Sequence, residues 1–475
     1  MRTNEMKNRA AAILGKQISS IEKLPESGSN RKYWRVFFDN ESCIATFNSD
    51  VAENRAFIAL TEHFNENNLP VPEIIGVDKE EILYLQTDLG SESLYQLILD
   101  SRKNPSLESN VTEMYKKVID NLLRFQFVQA PDIKMFFSRI SFDNTSMMWD
   151  LNYFKYYFLK LAYIPFDEEL LEDDFKAFSS HLAHVPSHYF MYRDFQSRNV
   201  MIKDGEPCFI DYQGGRRGAL QYDLASLLYD SKADLSPEFR TEMLNYYCQR
   251  MEEEKLASSS LFRQYFDDFV LMRIMQAFGA YGYRGYYEKK SHFLQSVPFA
   301  ARNLMQIIDK DEYQTKYPEL HKVLNCIVDR FVDDGVKESE ADKLEINICS
   351  ISLKKHYPDI NAEHGGGFVF DCRFLPNPGR DPKLAKLTGL DDEVIKMLSR
   401  EKSVERFLRN SIEMARDAIE NYMERDFRYI SFAFGCTGGQ HRSVYCAETF
   451  RRELQYLYGE DVNIHIQHLE IEEED

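Results

Sequence analysis

Three oxygen-bearing side chains stand in fixed order within residues 192–230. Asp194 precedes Asn199 by five positions, and Asp211 closes the short apolar run Phe209-Ile210. Any one of them alone would be ordinary turn chemistry, because Asp and Asn favour loops. Together they fit a demanding task. Phosphoryl transfer asks a protein mainly to position groups and to neutralise charge. One carboxylate must face an acceptor hydroxyl, and an amide and a second carboxylate suit magnesium, a hard cation that prefers oxygen. Asp194 is the candidate catalytic base, and Asn199 and Asp211 are the candidate metal ligands.

The preceding sequence is laid out to match. Apolar and polar residues alternate over 34–47 around Asp39-Asn40-Glu41-Ser42, which predicts a hairpin. A small-residue loop, Ser27-Gly28-Ser29-Asn30, leads into it. Residues 54–64 have helical apolar spacing, Leu69-Pro70-Val71-Pro72 ends the helix, and 82–85 reads as a buried strand before the connector 86–90. Long aromatic-rich helical patterns cover 111–128, 151–163, 175–184 and 237–309, and their stripes are assigned to core packing. The expectation is an α+β, bilobal kinase-like domain over 1–332, with a small lobe over about 15–90 and a helical lobe over about 91–332.

At 475 residues the chain exceeds one ordinary core. A hydrophobic content of 44% with 28% charged residues fits a soluble globular protein. The net charge of −19 argues against nucleic-acid affinity, which excess Lys and Arg carry. No apolar run reaches membrane-spanning length, and the N-terminal apolar patch is too short for a signal peptide. The eight cysteines show no Cys-x-x-Cys pair and read as reduced thiols of a cytoplasmic protein. Residues 333–343 are polar and read as a linker. A smaller α/β domain follows over 344–475, with strands at 344–353, 368–371 and 429–434 and helices at 404–423 and 443–458. The acidic residues 470–475 read as a solvated tail.

Arg193-Asp194-Phe195-Gln196-Ser197-Arg198-Asn199, then Ile210-Asp211-Tyr212-Gln213-Gly214 and Tyr222-Asp223-Leu224-Ala225-Ser226-Leu227-Leu228, resemble the aminoglycoside phosphotransferase family, which has a protein-kinase-like fold. Within it they are most similar to the anomeric sugar kinases of cell-wall recycling, which phosphorylate N-acetylmuramate and N-acetylglucosamine at C1 with ATP. The resemblance implies ATP and Mg2+ as cofactors and a small-molecule sugar as acceptor. By it, Ser29, Arg31 and Lys32 would lie over the nucleotide phosphates, Gln86 and Leu89 at the hinge, and Asp223 would brace the catalytic loop. Tyr192 stands where many relatives have His and is read as loop packing. Gln196, Gln213, Arg216 and Arg217 are hydrogen-bonding candidates for reading sugar hydroxyls, though residues of these types are commonly just solvated.

One departure stands out. Cys43-Ile44-Ala45-Thr46-Phe47 contains no Ala-x-Lys to meet nucleotide phosphates, while Glu53 could be the acid that partners such a lysine. Arg31, Lys32 or Arg35 would then supply the positive charge; the alternatives are a degenerate lobe that binds nucleotide without turnover, or a kinase for an amino alcohol or aminoglycoside.

In the second domain, Gly435-Cys436-Thr437-Gly438-Gly439-Gln440-His441-Arg442-Ser443 follows a strand and opens a helix. Glycines let several N–H groups turn inward, and a helix N-terminus adds positive potential, so a phosphate is the expected guest. The same run contains Cys-x5-Arg-Ser, the spacing of Cys-dependent phosphatases, for which Asp371 or Asp381 could act as acid. With Asp371-Cys372-Arg373-Phe374-Leu375-Pro376-Asn377-Pro378, the run resembles the C-terminal domain of the RNase adapter protein RapZ, over about 344–469. That resemblance implies a site for an aminosugar phosphate lined by Asp371, Thr437, Gly438, His441 and Arg442, and allows a homo-oligomer through this domain. Gly379 stands where relatives carry a ring side chain. No Gly-x4-Gly-Lys-[Ser/Thr] loop is present and the last residues are acidic, so RNA binding is not expected.

Overall fold

The computed structural model describes residues 3–24, 31–128, 140–308, 311–332, 343–355, 367–424, 427, 429–459 and 461–471. Ser29, most of the expected linker and the acids at 472–475 lie outside these residues. Two compact units are resolved, Met1–Lys289 with Phe293–Asp333, and Lys290–His292 with Asp334–Asp475.

The first unit begins with helix α1 (Thr3–Leu14) and a five-stranded antiparallel sheet in the order β1-β2-β3-β5-β4. Its strands are β1 (Ser20–Lys23), β2 (Lys32–Phe38), β3 (Glu41–Phe47), β4 (Ile74–Val77) and β5 (Leu83–Thr87). Trp34, Val36 and Phe38 alternate inward along β2 and meet Met6 and Ala10 of α1. The β2–β3 hairpin is tighter than its four-residue turn signal predicts. Phe38 pairs with Glu41, leaving Asp39 and Asn40 as a two-residue turn with φ of 47° and 64°. Both positive values mark a type I′ turn, which Asn and Asp tolerate. Helix α2 (Val51–Glu66) starts where Asp50 accepts the N–H of Glu53.

The helical lobe contains α3 (Leu94–Lys103), α4 (Glu108–Phe127), α5 (Asn144–Phe154), α6 (Glu168–Leu182), α7 (Gln221–Leu228), α8 (Pro237–Glu253), α9 (Ser259–Gly282), α10 (Val297–Ile308), α11 (Asp311–Lys316) and α12 (Pro318–Phe331). Two short ladders lie between α6 and α7: β6 (Tyr189–Met191) with β9 (Arg216–Gly218), and β7 (Val200–Lys203) with β8 (Glu206–Phe209). The aromatic stripes pack inward as expected; Phe57 stacks on Tyr212 with ring centroids 5.1 Å apart. Helices α5 and α9 approach backbone to backbone. A Cβ on Gly279 would stand 2.9 Å from the Phe154 amide nitrogen, and one on Gly282 would meet the Tyr157 carbonyl in the π-helical turn Lys155–Leu159 that continues α5.

The second unit is built on a four-stranded parallel sheet in the order β11-β12-β10-β13. The strands are β10 (Leu344–Ser352), β11 (Gly367–Asp371), β12 (Tyr429–Cys436) and β13 (Val462–His468), with helices α13 (Asp392–Leu398), α14 (Lys402–Glu424) and α15 (Arg442–Tyr458). Parallel strands need crossovers, and amphipathic helices supply the apolar cover. Ile346, Ile348, Phe432, Phe434, Phe450 and Leu454 form part of its separate core. The strands β10 and β12 run parallel at the centre of the sheet, and the glycine-rich run lies at the end of β12.

Candidate functional site

The loop after β6 is held by one buried acid. Asp223 on α7 is fully buried, and its carboxylate accepts the N–H groups of Tyr192 and Arg193, both at 2.8 Å. Those bonds fix Arg193 at φ 77°, a left-handed conformation that residues other than glycine adopt at a cost. Burial lifts the Asp223 carboxyl to about 7, against the pull of the two amides. The Tyr192 hydroxyl donates to the Ile210 carbonyl at 2.6 Å, joining the loop to the segment before Asp211. Asp211 is itself held at φ 72°.

Asp194, Asn199 and Asp211 are brought together by this arrangement. The Asn199 Nδ2 donates to the Asp194 carbonyl at 2.8 Å and lies 3.4 Å from the Asp211 carboxylate. Gln213 donates to Asp211 Oδ1 at 2.8 Å. Arg31, only 7% exposed, donates from Nη1 to Asp211 Oδ1 at 3.0 Å and from Nη2 to Glu53 of α2. Burial raises the Asp211 carboxyl, the Asp194 charge adds to it, and Arg31 and Gln213 oppose both. The donor set of one amide and neighbouring carboxylates is all oxygen and suits a hard divalent cation.

The three cations near the missing strand lysine separate clearly. Arg31 turns onto Glu53 and Asp211. Arg35 is held in a fork by Asp88 at 2.6 and 3.1 Å and also donates to the Gly90 carbonyl. Lys32 is half-buried at the start of β2. Gln86 lies on β5, is 8% exposed, and has a side-chain carbonyl without a hydrogen-bond partner; Leu89 is half-buried just beyond.

Beside Asp194 opens a cavity of about 190 Å3. Gln196 lines it, together with Arg198, Asp230, Lys232, Arg273 and Tyr281. Gln213 faces Asp211 instead, and Arg217 is exposed on β9, bonded through its backbone to Ile140 and Phe142. Sequence reasoning missed Asp230 and Arg273. Asp230 fixes the loop by accepting the Ser197 hydroxyl at 2.7 Å, and its place seven residues after Asp223 was the available signal. Arg273 comes from mid-α9, where no local pattern marks it.

In the second unit, the glycine-rich run turns around the Cys436 sulfur. Gly439 donates its N–H to Sγ at 3.2 Å, and the Ser443 hydroxyl lies 3.2 Å away. Burial would raise this thiol, but the Ser443 hydroxyl and N–H and the Gly439 and Gly438 amides hold it below the ordinary thiol range. Thr437 and Gly438 are exposed, and His441 is 9% exposed with Nε2 3.0 Å from the Leu384 carbonyl. Arg442 turns Nη1 onto the carbonyls of Arg373 and Leu375, at 2.7 and 3.2 Å, while its buried Nε has no hydrogen-bond partner. Asp371 is forked by Arg373, which holds its carboxyl below the usual range. Glu470, expected in a solvated tail, is instead packed against Gly439 and paired with Lys355 at 2.7 Å, its side chain 7% exposed.

Among the described residues, no helix is long and apolar enough to cross a membrane. Comparison with known proteins gives two family matches. Residues 20–257 match the phosphotransferase enzyme family, and residues 344–472 match the RapZ C-terminal domain. The RNase adapter protein RapZ of Hamiltonella defensa is 39% identical over 138 residues, 29% of this chain and 45% of that protein. A nucleotide-binding protein of Thermotoga petrophila is 38% identical over 117 residues, 25% of this chain and 40% of that protein. The chain thus spans under half the length of these two relatives. Among solved structures, an ADP-bound aminoglycoside phosphotransferase, APH(2'')-Ib, aligns with a TM-score of 0.45 and 13% identity, covering 69% of this chain and all of that one. The choline kinase LicA of Streptococcus pneumoniae aligns with a TM-score of 0.43 and 15% identity, covering 63% of this chain and 98% of that one. The chain belongs to the phosphotransferase enzyme family, with hydroxyl groups as acceptors, and carries a RapZ C-terminal domain behind its kinase-like unit.

Proposed function

We propose that the first unit is an ATP-dependent kinase for an aminosugar of the N-acetylmuramate or N-acetylglucosamine type, acting in cell-wall sugar recycling, and that the second unit binds an aminosugar phosphate. The observation that carries the acceptor class is the charge of the cavity beside Asp194. Arg198, Lys232 and Arg273 line it against Asp194 and Asp230, and Tyr281 adds an aromatic face. A polycationic aminoglycoside or a quaternary amine would meet this balance unfavourably. A neutral or carboxylate-bearing sugar suits it, with Gln196 and Gln276 as hydroxyl readers.

In this reading Asp194 receives the proton of the acceptor hydroxyl as its oxygen forms the new bond to the γ-phosphorus. The bond from that phosphorus to the β–γ bridging oxygen breaks, and ADP leaves. Mg2+, held by Asn199 and Asp211, would supply charge neutralisation on the phosphates. Arg31 and Lys32 face the phosphates, Gln86 and Leu89 the adenine, and Asp223 keeps the loop in shape. Gln213 and Arg217 are assigned no contact with the acceptor. In the second unit, the exposed residues Thr437 and Gly438, His441 and the α15 N-terminus favour a phosphate ester.

The test is incubation with ATP, Mg2+ and N-acetylmuramate or N-acetylglucosamine, followed by phosphorus NMR. A product with anomeric C1–phosphate coupling supports the reading. ATP turnover with choline or an aminoglycoside, and none with either sugar, overturns the acceptor class.

A further inference from the structure

The Arg31 pairing has a consequence for how ligands enter, and it rests on the kinase reading above. Arg31 stands just before β2, Glu53 one turn into α2, and Asp211 in the loop after β8, so three separate segments converge on one guanidinium. The Asp211 side chain is 39% exposed, and its two oxygens are unequally engaged. Asp211 Oδ1 accepts from Arg31 at 3.0 Å and Gln213 at 2.8 Å, while Oδ2 faces the Asn199 amide nitrogen at 3.4 Å. Glu53 Oε2 accepts from Asn48 at 2.7 Å, so the acid that anchors the other half of Arg31 is itself fixed. A divalent cation that binds Asp211 through Oδ1 competes with Arg31 for that oxygen. Displacement would leave the nearly buried Nη1 with only the Tyr33 hydroxyl at 3.5 Å, a poor acceptor for a charged donor. A phosphate oxygen of an incoming nucleotide is the acceptor that removes the cost.

We propose that Arg31 is an exchange cation: it shares the metal-ligand carboxylate of Asp211 and passes to a nucleotide phosphate when a metal takes that oxygen. Arg31 therefore opposes metal binding when metal comes alone and supports nucleotide binding, and it couples the two ligands more strongly than their own chelation does. A strand lysine would meet the same carboxylates as a point charge, without the two directed arms that the guanidinium turns onto Glu53 and Asp211. Only the Asp211 oxygen and the Arg31 guanidinium change partners, and no covalent bond forms or breaks.

The experiment measures Mn2+ binding by electron paramagnetic resonance, without nucleotide, and ADP binding by calorimetry, each in the full chain and in Arg31→Ala. The expected result is a pair of opposite signs: Mn2+ alone binds about fivefold tighter, and ADP binds about fivefold or more weakly, magnitudes typical of site coupling. A merely structural arginine would weaken both, and that outcome overturns the proposal, as does unchanged Mn2+ affinity. Arg31→Lys keeps the charge and provides a second arm should Arg31→Ala fail to fold. It should bind Mn2+ alone more tightly than the parent while losing less ADP affinity than the alanine variant; Mn2+ affinity equal to or below the parent's overturns the proposal on its own. Failure of the parent protein to bind ADP and Mn2+ together would instead sink the kinase reading, which keeps the two failures distinct.

Discussion

Asp223 illustrates how one side chain can govern a site it does not enter. Its carboxyl is lifted by burial to about 7 in the folded chain, above the ordinary aspartate value of about 3.9. A raised folded-state value means that the folded form holds the proton longer than the unfolded form does. The stabilisation is complete below about pH 4 and is lost as pH rises through about 7. Asp223→Asn removes the titration, so unfolding free energies of variant and parent, followed by denaturant titration, should converge toward acid and differ in slope between about pH 4 and 7. For Asp194→Ala, the expected outcome is a loss of kcat of about a hundredfold or more, with ADP affinity held within about threefold. The triplet was legible in sequence because the chemistry dictates the residue types and the short loop dictates their order. Which of Arg31, Lys32 and Arg35 enters the site was not. Three cations within five residues differ only in which way the chain carries them, and Asp88, 53 residues away from Arg35, decides that one.

At the scale of elements, the long helices were legible from apolar spacing and the β2–β3 hairpin from alternation. The strands β1 and β4 have four residues each, too few for a period to emerge, and α1 gave only an apolar patch. The strand β13 was missed because its polar positions, Asn463, His465 and Gln467, resemble a loop. The cavity beside Asp194 was equally hidden, since α7, α9 and the loop after β6 meet only in the folded lobe. The α5–α9 contact belongs to the same class. Gly282→Ala places a methyl group against the Tyr157 carbonyl, and the expected result is a loss of stability of about 1–3 kcal/mol, read from chemical denaturation. Asp88→Ala leaves the Arg35 guanidinium without its fork, and a loss of about 1–3 kcal/mol is expected in the same measurement.

Across the whole molecule, the two units keep separate cores, so each has the apolar interior that independent folding requires. A chain of residues 1–332 should therefore fold alone, and calorimetry of the full protein should show two transitions, one of which survives the truncation. Comparing its rate of phosphoryl transfer to the proposed sugar with that of the full chain, with and without glucosamine-6-phosphate, tests whether the second unit regulates the first; equal rates in all four conditions exclude it. The units also differ in how their sheets can be assembled in time. The antiparallel sheet of the first unit joins β2 to β3 across two residues, whereas the central β10 must await β13, with Ser350 and His468 118 positions apart. Long-range parallel pairing is slow. As a ribosome delivers the chain, the nascent nucleotide lobe can close early while β10 remains an unpaired edge. The RapZ-type half is then the stretch most dependent on chaperones and the first expected in aggregates when synthesis outpaces folding.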